Sequence, residues 1–414
     1  MRLAVERLGH LGDGVAGGIF VPGALPGEVV EGDVADGRMS AARIVTPSPD
    51  RVAAPCPHYR ACGGCALMHA RDDFVGRWKA GVVRQALAAQ GLDADVRVTA
   101  ISPPRSRRRA TFAGRRTKAG AIVGFHGRAP GTAPGTAPGT APGTIAEIAG
   151  CILLQPPLLA MLPALRALTA AGASRGATLD LAVTLTDGGP DLAVSGGKIP
   201  DPALGAELAA IAAGAGIARL TWNREVLAAP GAPAVTFGRA RVAIPPGSFL
   251  QATAEGEAAL ARAVADAVAG ARRITDLFAG SGTFALRLAA AADVHAVEGD
   301  AAMLAALDAA WRATPGLHRV TTERRDLFRR PLLADELSRS DAAVIDPPRA
   351  GAEAQTIEIA RSRLARLAYV SCNPVTFARD ARHLCAAGFR LGPVQVVDQF
   401  RWSPHVELAA PFLR

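Results

Sequence analysis

From residue 247 onward, stretches with apolar residues three and four apart alternate with short unbroken apolar runs. That alternation predicts the helices and buried strands of a doubly wound α/β sheet. Helices are expected at 255–271 and 284–292, and strands at 273–277, 294–297, 342–345, 367–370, 391–397 and 405–409. Upstream the pattern differs. Residues 1–50 set short β-rich runs between turns such as Gly12-Asp13-Gly14 and Leu25-Pro26-Gly27, which predicts a small β-barrel. Residues 51–246 mix a helical pattern at 74–90, a β-rich stretch at 96–125, and alternating elements beyond 151 that include apolar runs at 179–186 and 218–222. The expected fold class is α/β: a C-terminal doubly wound Rossmann-like domain at 247–414, an N-terminal small barrel at 1–50, and a central α+β domain at 51–246.

One segment breaks every period. Residues 129–144 are four tandem copies of Ala-Pro-Gly-Thr. A proline and a glycine in each unit exclude a helix or a central strand, so an expanded, flexible surface loop is expected. The unit is too short to be a solenoid repeat.

Composition narrows the class. The chain has 414 residues, half of them hydrophobic and only 5% aromatic, which suits a soluble globular enzyme of more than one domain. No apolar stretch reaches the roughly 18 residues a membrane span needs. The longest candidate, 158–168, is broken by Pro163 and Arg166, and the first residues lack the apolar core of a signal peptide. A cytoplasmic location is expected, with no membrane association and no evident obligate protein partner. The net charge of +9 favours a polyanionic partner, and Arg105, Arg107, Arg108, Arg109, Arg115, Arg116 and Lys118 form a cluster dense enough for phosphate contacts.

In a reducing compartment, thiols serve metals or catalysis more often than disulfides. Cys56, Cys62 and Cys65, with Gly63-Gly64 between the last pair, supply three thiols within ten residues, and Cys151 offers a fourth. Four thiolates suit zinc or an iron–sulfur cluster, and spacing alone does not separate the two. Cys385, in an apolar helical pattern, reads as packing. Cys372 differs, because it ends a strand and is flanked by polar residues in Ser371-Cys372-Asn373-Pro374. Lowering its pKa requires positive or hydrogen-bonding neighbours, for which Arg349 and nearby amides are candidates. Glu407 lies in an apolar strand, where an idle carboxylate would be costly to bury. Asp276-Leu277-Phe278-Ala279-Gly280-Ser281-Gly282-Thr283 follows a predicted strand, and Glu298 ends the next, placed to accept from ribose hydroxyls. The loop lacks the full dinucleotide fingerprint and any Gly-Lys-Ser/Thr, which favours S-adenosylmethionine.

These motifs resemble, over nearly the whole chain, the uracil-C5 RNA methyltransferase family, in the branch that modifies large-subunit ribosomal RNA and carries a 4Fe-4S cluster. The resemblance implies a TRAM (OB-like) RNA-binding barrel at 1–50 and cluster ligands Cys56, Cys62, Cys65 and Cys151. It implies contacts to the methyl donor from Gln251, in Phe249-Leu250-Gln251, and from Phe278, Thr283, Glu298, Asp326 and Asp346. It also implies Cys372 as nucleophile and Glu407, in His405-Val406-Glu407, as general base. Ala279 stands where many members carry cysteine, and Thr283 where asparagine is usual. The implied function is S-adenosylmethionine-dependent methylation of carbon 5 of a uridine, most readily in 23S ribosomal RNA. Two alternatives stand beside it: an exocyclic-amino methyltransferase, because Asp346-Pro347-Pro348 loops also serve amines, and a non-catalytic, redox-responsive RNA-binding iron–sulfur protein.

Overall fold

A computed structural model of the chain describes residues 1–128 and 140–414. Most of the Ala-Pro-Gly-Thr repeat lies outside the described residues. Its last residues open the strand Thr140–Glu147, which occupies the edge of its sheet, the place where proline's missing N–H is tolerated.

The catalytic half is built on a sheet whose strands run, edge to edge, Val320–Arg324, Asp293–Glu298, Arg273–Leu277, Ala342–Ile345, Arg366–Ser371, Leu408–Leu413, Val394–Asp398 and Val96–Ile101. The first five are parallel, and Leu408–Leu413 runs antiparallel between its neighbours. Adjacent residues within a strand feed opposite faces. Ala342, Val344, Ala368 and Val370 pack into one core, and Ala343, Ile345, Leu367 and Tyr369 into the other. Burial on both faces is why these strands read as unbroken apolar runs. The α/β, doubly wound expectation holds.

The elements deviate from the sequence reading where local chemistry intervenes. Gly392 and Pro393 split the expected strand at 391–397 into Arg390–Leu391 and Val394–Asp398. The expected strand at 405–409 begins only at Leu408, after a loop in which Trp402 adopts φ 58°. The helix Ala254–Ala267 starts at Thr253, whose side chain accepts from the Gly256 amide, and stops short of 271. Val320–Arg324, just before Asp326, carries no apolar run of its own, because Thr-Thr-Glu-Arg lies at a sheet edge. Finally, Val96–Ile101 pairs in parallel with Val394–Asp398, and the helix Asp72–Ala88 packs beside it, so a segment from before residue 246 completes the C-terminal sheet.

The first fifty residues form two three-stranded antiparallel sheets around Val5, Ala16, Val21, Val30 and Met39. Between the two ends lies a seven-stranded sheet running from Thr140–Glu147 to Glu225–Ala228, covered by the helices Leu162–Gly172 and Pro202–Gly214. No helix among the described residues is long and apolar enough to cross a membrane.

Candidate active site

The chain runs from Arg273–Leu277 outward through two parallel strands, then returns to Ala342–Ile345 on the opposite side. Strand order therefore reverses between Arg273–Leu277 and Ala342–Ile345, and a crevice opens beyond their carboxyl ends. A cavity of roughly 950 Å³ lies there. Gln251, Phe278, Thr283, Glu298, Asp326, Asp346, Cys372 and Glu407 all line it, so every candidate donor-binding and catalytic residue meets in one space.

The donor loop is shaped by backbone geometry. Phe278 takes φ 61°, a left-handed conformation costly for a residue with a side chain, and its ring lies 5.4 Å from that of Phe328 across the cavity wall. At Gly282, φ is 97° and a Cβ would fall 2.9 Å from Leu286 and Leu307, so only glycine fits. Glu298 accepts from the amides of Gly280 at 3.0 Å, Gly299 at 2.7 Å and Asp300 at 3.0 Å. These bonds lock the loop and aim the carboxylate, whose remaining lone pairs can still receive ribose hydroxyls. Asp326 is held by the amides of Phe328 and Arg329.

Beneath the loop, Asp276 is fully buried, and neither carboxylate oxygen completes a hydrogen bond. Burial, then the neighbouring Asp346, push its pKa up to about 8, against the pull of the Ala285 amide.

Cys372 sits in the turn between the strand Arg366–Ser371 and the helix Pro374–Ala386. Asn373 caps that helix by accepting from the Val375 amide, and its Nδ2 donates to the Arg349 carbonyl at 2.9 Å. The thiol is thereby held at a helix N-terminus beside the Asp346-Pro347-Pro348-Arg349 loop. Arg349 draws the thiol pKa down, as the sequence suggested, but burial and then the Glu407 carboxyl prevail, leaving it at about 11. The resting sulfur is a thiol.

Glu407 is 3% exposed. Burial, then Asp346, raise its pKa to about 8, opposed by a hydrogen bond from Gln399 and by Arg349. Asp346 is raised to about 7 by burial. The side chain of Arg349 also donates to His405 Nδ1 at 3.0 Å, and burial followed by the Arg349 charge keeps that imidazole neutral, with its pKa near 4.

Three members of the arginine cluster are engaged within the protein, while Arg105, Arg116 and Lys118 are exposed. Arg108 binds Glu257 and donates to the Gln251 carbonyl; Arg107 donates to the Arg109 carbonyl; Arg109 stacks 5.2 Å from the Phe249 ring. Phe249 remains 59% exposed at the cavity's rim.

A second cavity, of roughly 290 Å³, is lined by Cys56, Cys62, Cys65 and Cys151, with Arg107 common to both cavities. Gly63 donates to the His126 carbonyl and Arg128 to the Ala61 carbonyl, so the cysteine loop is tied to the strand Gly120–Arg128. Cys151 arrives from the paired strand Thr140–Glu147. Burial raises the Cys62 and Cys65 thiols, and the other cysteines raise them further. The guanidiniums of Arg107 and Arg128 lie beside these thiols, where positive charge favours the thiolate form. Among the described residues, however, no three His, Cys, Asp or Glu side chains are gathered closely enough to hold a metal ion.

Sequence reasoning missed the residues that anchor the Phe400–His405 loop. Ala66 and Leu67, just after Cys65, both donate to the Trp402 carbonyl, at 2.8 and 3.0 Å. Lys79, fully buried, donates to Asp398 at 2.6 Å and to the Phe400 carbonyl at 3.1 Å. A lysine in an otherwise amphipathic helix gave no signal, since its partner is 319 residues away.

Comparison with known proteins agrees with this geometry. The tRNA (uracil-5-)-methyltransferase family model matches residues 243–413. A protein of Rhizobium meliloti, named an uncharacterised RNA methyltransferase, is 43% identical over 99% of this chain and 98% of its own. A 23S rRNA (uracil(1939)-C(5))-methyltransferase of Shewanella piezotolerans is 30% identical over 100% of this chain and 95% of its own. Among solved structures, the Pyrococcus abyssi tRNA (uracil-54, C5)-methyltransferase in complex with S-adenosyl-L-homocysteine superposes over both full chains with a TM-score of 0.75 at 21% identity, a likeness of fold.

Proposed function

The chain belongs to the S-adenosylmethionine-dependent RNA (uracil-C5) methyltransferase family, and from that premise we propose that it methylates a uridine of large-subunit ribosomal RNA through a covalent Cys372 adduct. Membership sets aside the exocyclic-amine and non-catalytic alternatives. The observation that supports this reading is that Cys372 and Glu407 line the same cavity as Gln251, Phe278, Thr283, Glu298, Asp326 and Asp346.

Carbon 5 of uracil is too weakly nucleophilic to be methylated by proximity alone. In the proposed route Cys372 adds as thiolate to carbon 6, which converts the ring to an enolate with carbon 5 as nucleophile. S-adenosylmethionine supplies a methyl group on a positively charged sulfur. Carbon 5 takes that methyl, Glu407 removes the carbon 5 proton, and the electron pair left behind expels Cys372, releasing 5-methyluridine. Gln251, Phe278, Thr283, Glu298, Asp326 and Asp346 would hold the donor. Arg349 stabilises the thiolate and places the Asp346 loop. Burial favours the protonated forms of Cys372, Asp346 and Glu407, and the positive charge of the donor would favour their ionisation.

The target base leaves its stack at a cost of a few kcal/mol, and Phe249 at the rim offers an aromatic face near the opening. Residues 1–50 are proposed as the RNA-binding TRAM barrel, 51–246 as the domain carrying the cysteines, and 247–414 as the methyltransferase domain. Cys56, Cys62, Cys65 and Cys151 would hold a 4Fe-4S cluster, which would act as a staple for a loop-rich segment. The setting is cytoplasmic.

The test is to map 5-methyluridine in ribosomal and transfer RNA from cells lacking the protein. Loss of one or more sites in large-subunit RNA is expected. Intact ribosomal sites with loss of a transfer-RNA site would overturn the substrate assignment.

A further inference from the structure

Gln399 closes the strand Val394–Asp398 and is 2% exposed, yet no motif marks it. Its side chain holds three hydrogen bonds. Oε1 accepts from the Ala252 amide at 2.9 Å, and Nε2 donates to Gln251 Oε1 at 2.6 Å and to Glu407 Oε2 at 3.1 Å. The directions are fixed, because a backbone N–H can only donate. Ala252 therefore determines which end of the Gln399 amide is oxygen, and the opposite end must present its N–H groups. The atom of Gln251 that faces them must in turn be its oxygen.

We propose that Gln399 is a positioning residue for the reaction: anchored by the Ala252 amide, it presents Gln251 Nε2 and Glu407 Oε1 to the cavity. Neither of those two atoms bonds to another described residue, so both are left for ligands. The assignment rests on Glu407 acting as the base. It names the oxygen that receives the carbon 5 proton, since Oε2 is already engaged as an acceptor. The chain also makes room for Gln399. Gly256 lies in the first turn of the helix Ala254–Ala267, where glycine is a poorer helix former than alanine. A Cβ at Gly256 would meet Gln399 Cβ at 2.6 Å.

The charged or titratable groups around Glu407 are Asp346 and Arg349, from the loop after Ala342–Ile345, and the Cys372 thiol, from the turn after Arg366–Ser371. On its own segment, His405 is held by Arg349, and Asp398, beside Gln399, is neutralised by Lys79. Gln399 is the neutral donor to the carboxylate within this set, and it favours the ionised form. Removing it makes Glu407 harder to deprotonate, so the acid limb of the kcat profile moves to higher pH.

Gln399→Leu is therefore expected to lose roughly tenfold or more of kcat near pH 7 and to recover towards wild type near pH 9. It should also accumulate a denaturation-resistant RNA adduct at pH 7. Gly256→Ala, which displaces Gln399 without removing it, should shift the limb in the same direction by less. If Gln399→Leu does not fold, Gln399→Glu keeps the acceptor for Ala252, and its second carboxyl should move the limb further up. A loss of kcat that is equal at every pH, with no adduct, would mark a merely structural residue and overturn the proposal. Glu407→Gln, run in parallel, separates the two readings. Normal turnover there removes Glu407 as the base, whereas a dead, adduct-trapping Glu407→Gln beside a Gln399→Leu of wild-type profile removes only Gln399.

Discussion

Five of the six cysteines line two cavities of this chain, and the surroundings differ in kind. Cys372 stands alone among Asp346, Glu407 and Arg349, in a cavity roughly three times the volume of the one lined by Cys56, Cys62, Cys65 and Cys151. In both, burial holds thiols protonated. What would release the protons differs. The proposed resident centre would ionise several thiols together beside two guanidiniums, whereas the one thiol facing two acids would be helped by the single positive charge of the donor. Arg107 lines both spaces, and the Phe400–His405 loop, tethered to Ala66 and Leu67, forms part of the wall of the larger. The segment that carries Cys56, Cys62 and Cys65 is thus bonded to a loop that lines the larger cavity.

The sharpest way to break this contrast is to remove one sulfur from each. Cys372→Ala should lower methyl transfer by roughly 10⁴-fold or more while leaving the fold and donor binding intact, because the group removed forms the bond. Full turnover by that variant in a single-turnover methyl-transfer assay would end the covalent route. Next in size is Glu407→Gln, which should add to the base and accept the methyl but fail to release it. A methylated RNA–protein adduct surviving denaturing electrophoresis is the expected product; free, fully methylated RNA at the wild-type rate would count against Glu407 as the base.

On the other side of the contrast, the protein purified without oxygen should be brown and contain iron. Cys62→Ser or Cys65→Ser should bleach it and lower its melting temperature by several degrees or more, with activity lost through unfolding rather than chemistry. Elemental analysis and the visible spectrum decide the matter. Colourless protein with stoichiometric zinc would overturn the cluster.

Much of the catalytic half was legible in the sequence because buried parallel strands announce themselves and because the candidate residues sit at strand ends, where one sheet gathers them. Cys372 follows the run Arg366–Ser371, whereas Gln251 lies in the loop before the helix Ala254–Ala267 and Glu407 just ahead of the strand Leu408–Leu413. Three things were not legible. The Thr-Thr-Glu-Arg edge strand has no apolar signature. The strand Val96–Ile101 reads as β without saying which sheet it joins, because parallel pairing with Val394–Asp398 is a long-range event. The network around Gln399 and Lys79 consists of polar side chains inside apolar elements, and only coordinates reveal that each has a partner. Cys151 follows the strand Thr140–Glu147, which pairs with Gly120–Arg128, and lines the smaller cavity.

The smallest effect expected is also the most specific to one side. Asp276, beneath the donor loop, has no hydrogen-bond partner for either oxygen, and burial raises its pKa to about 8 from an ordinary carboxylate value. The folded state therefore holds that proton more tightly than the unfolded chain. Its contribution to stability is complete below about pH 4 and is lost progressively as pH rises towards 8. Asp346 and Glu407 act in the same direction. His69 and His405, both near 4 in the fold, act oppositely, but only below about pH 6.5. The thiol cavity is silent in this range, because burial raises the Cys62, Cys65 and Cys151 thiols above their ordinary value. Between pH 6.5 and 8, the donor-free protein should thus lose melting temperature as pH rises, by an amount equivalent to a few kcal/mol at most. Asp276→Asn should flatten part of that slope and melt higher than wild type at pH 8, whereas Cys62→Ser should lower the whole curve without changing its tilt. A melting temperature that is level from pH 6.5 to 8 in the wild type would mean that the acids beneath and around the larger cavity are already ionised, and that the donor's positive charge is not what prepares Cys372 and Glu407.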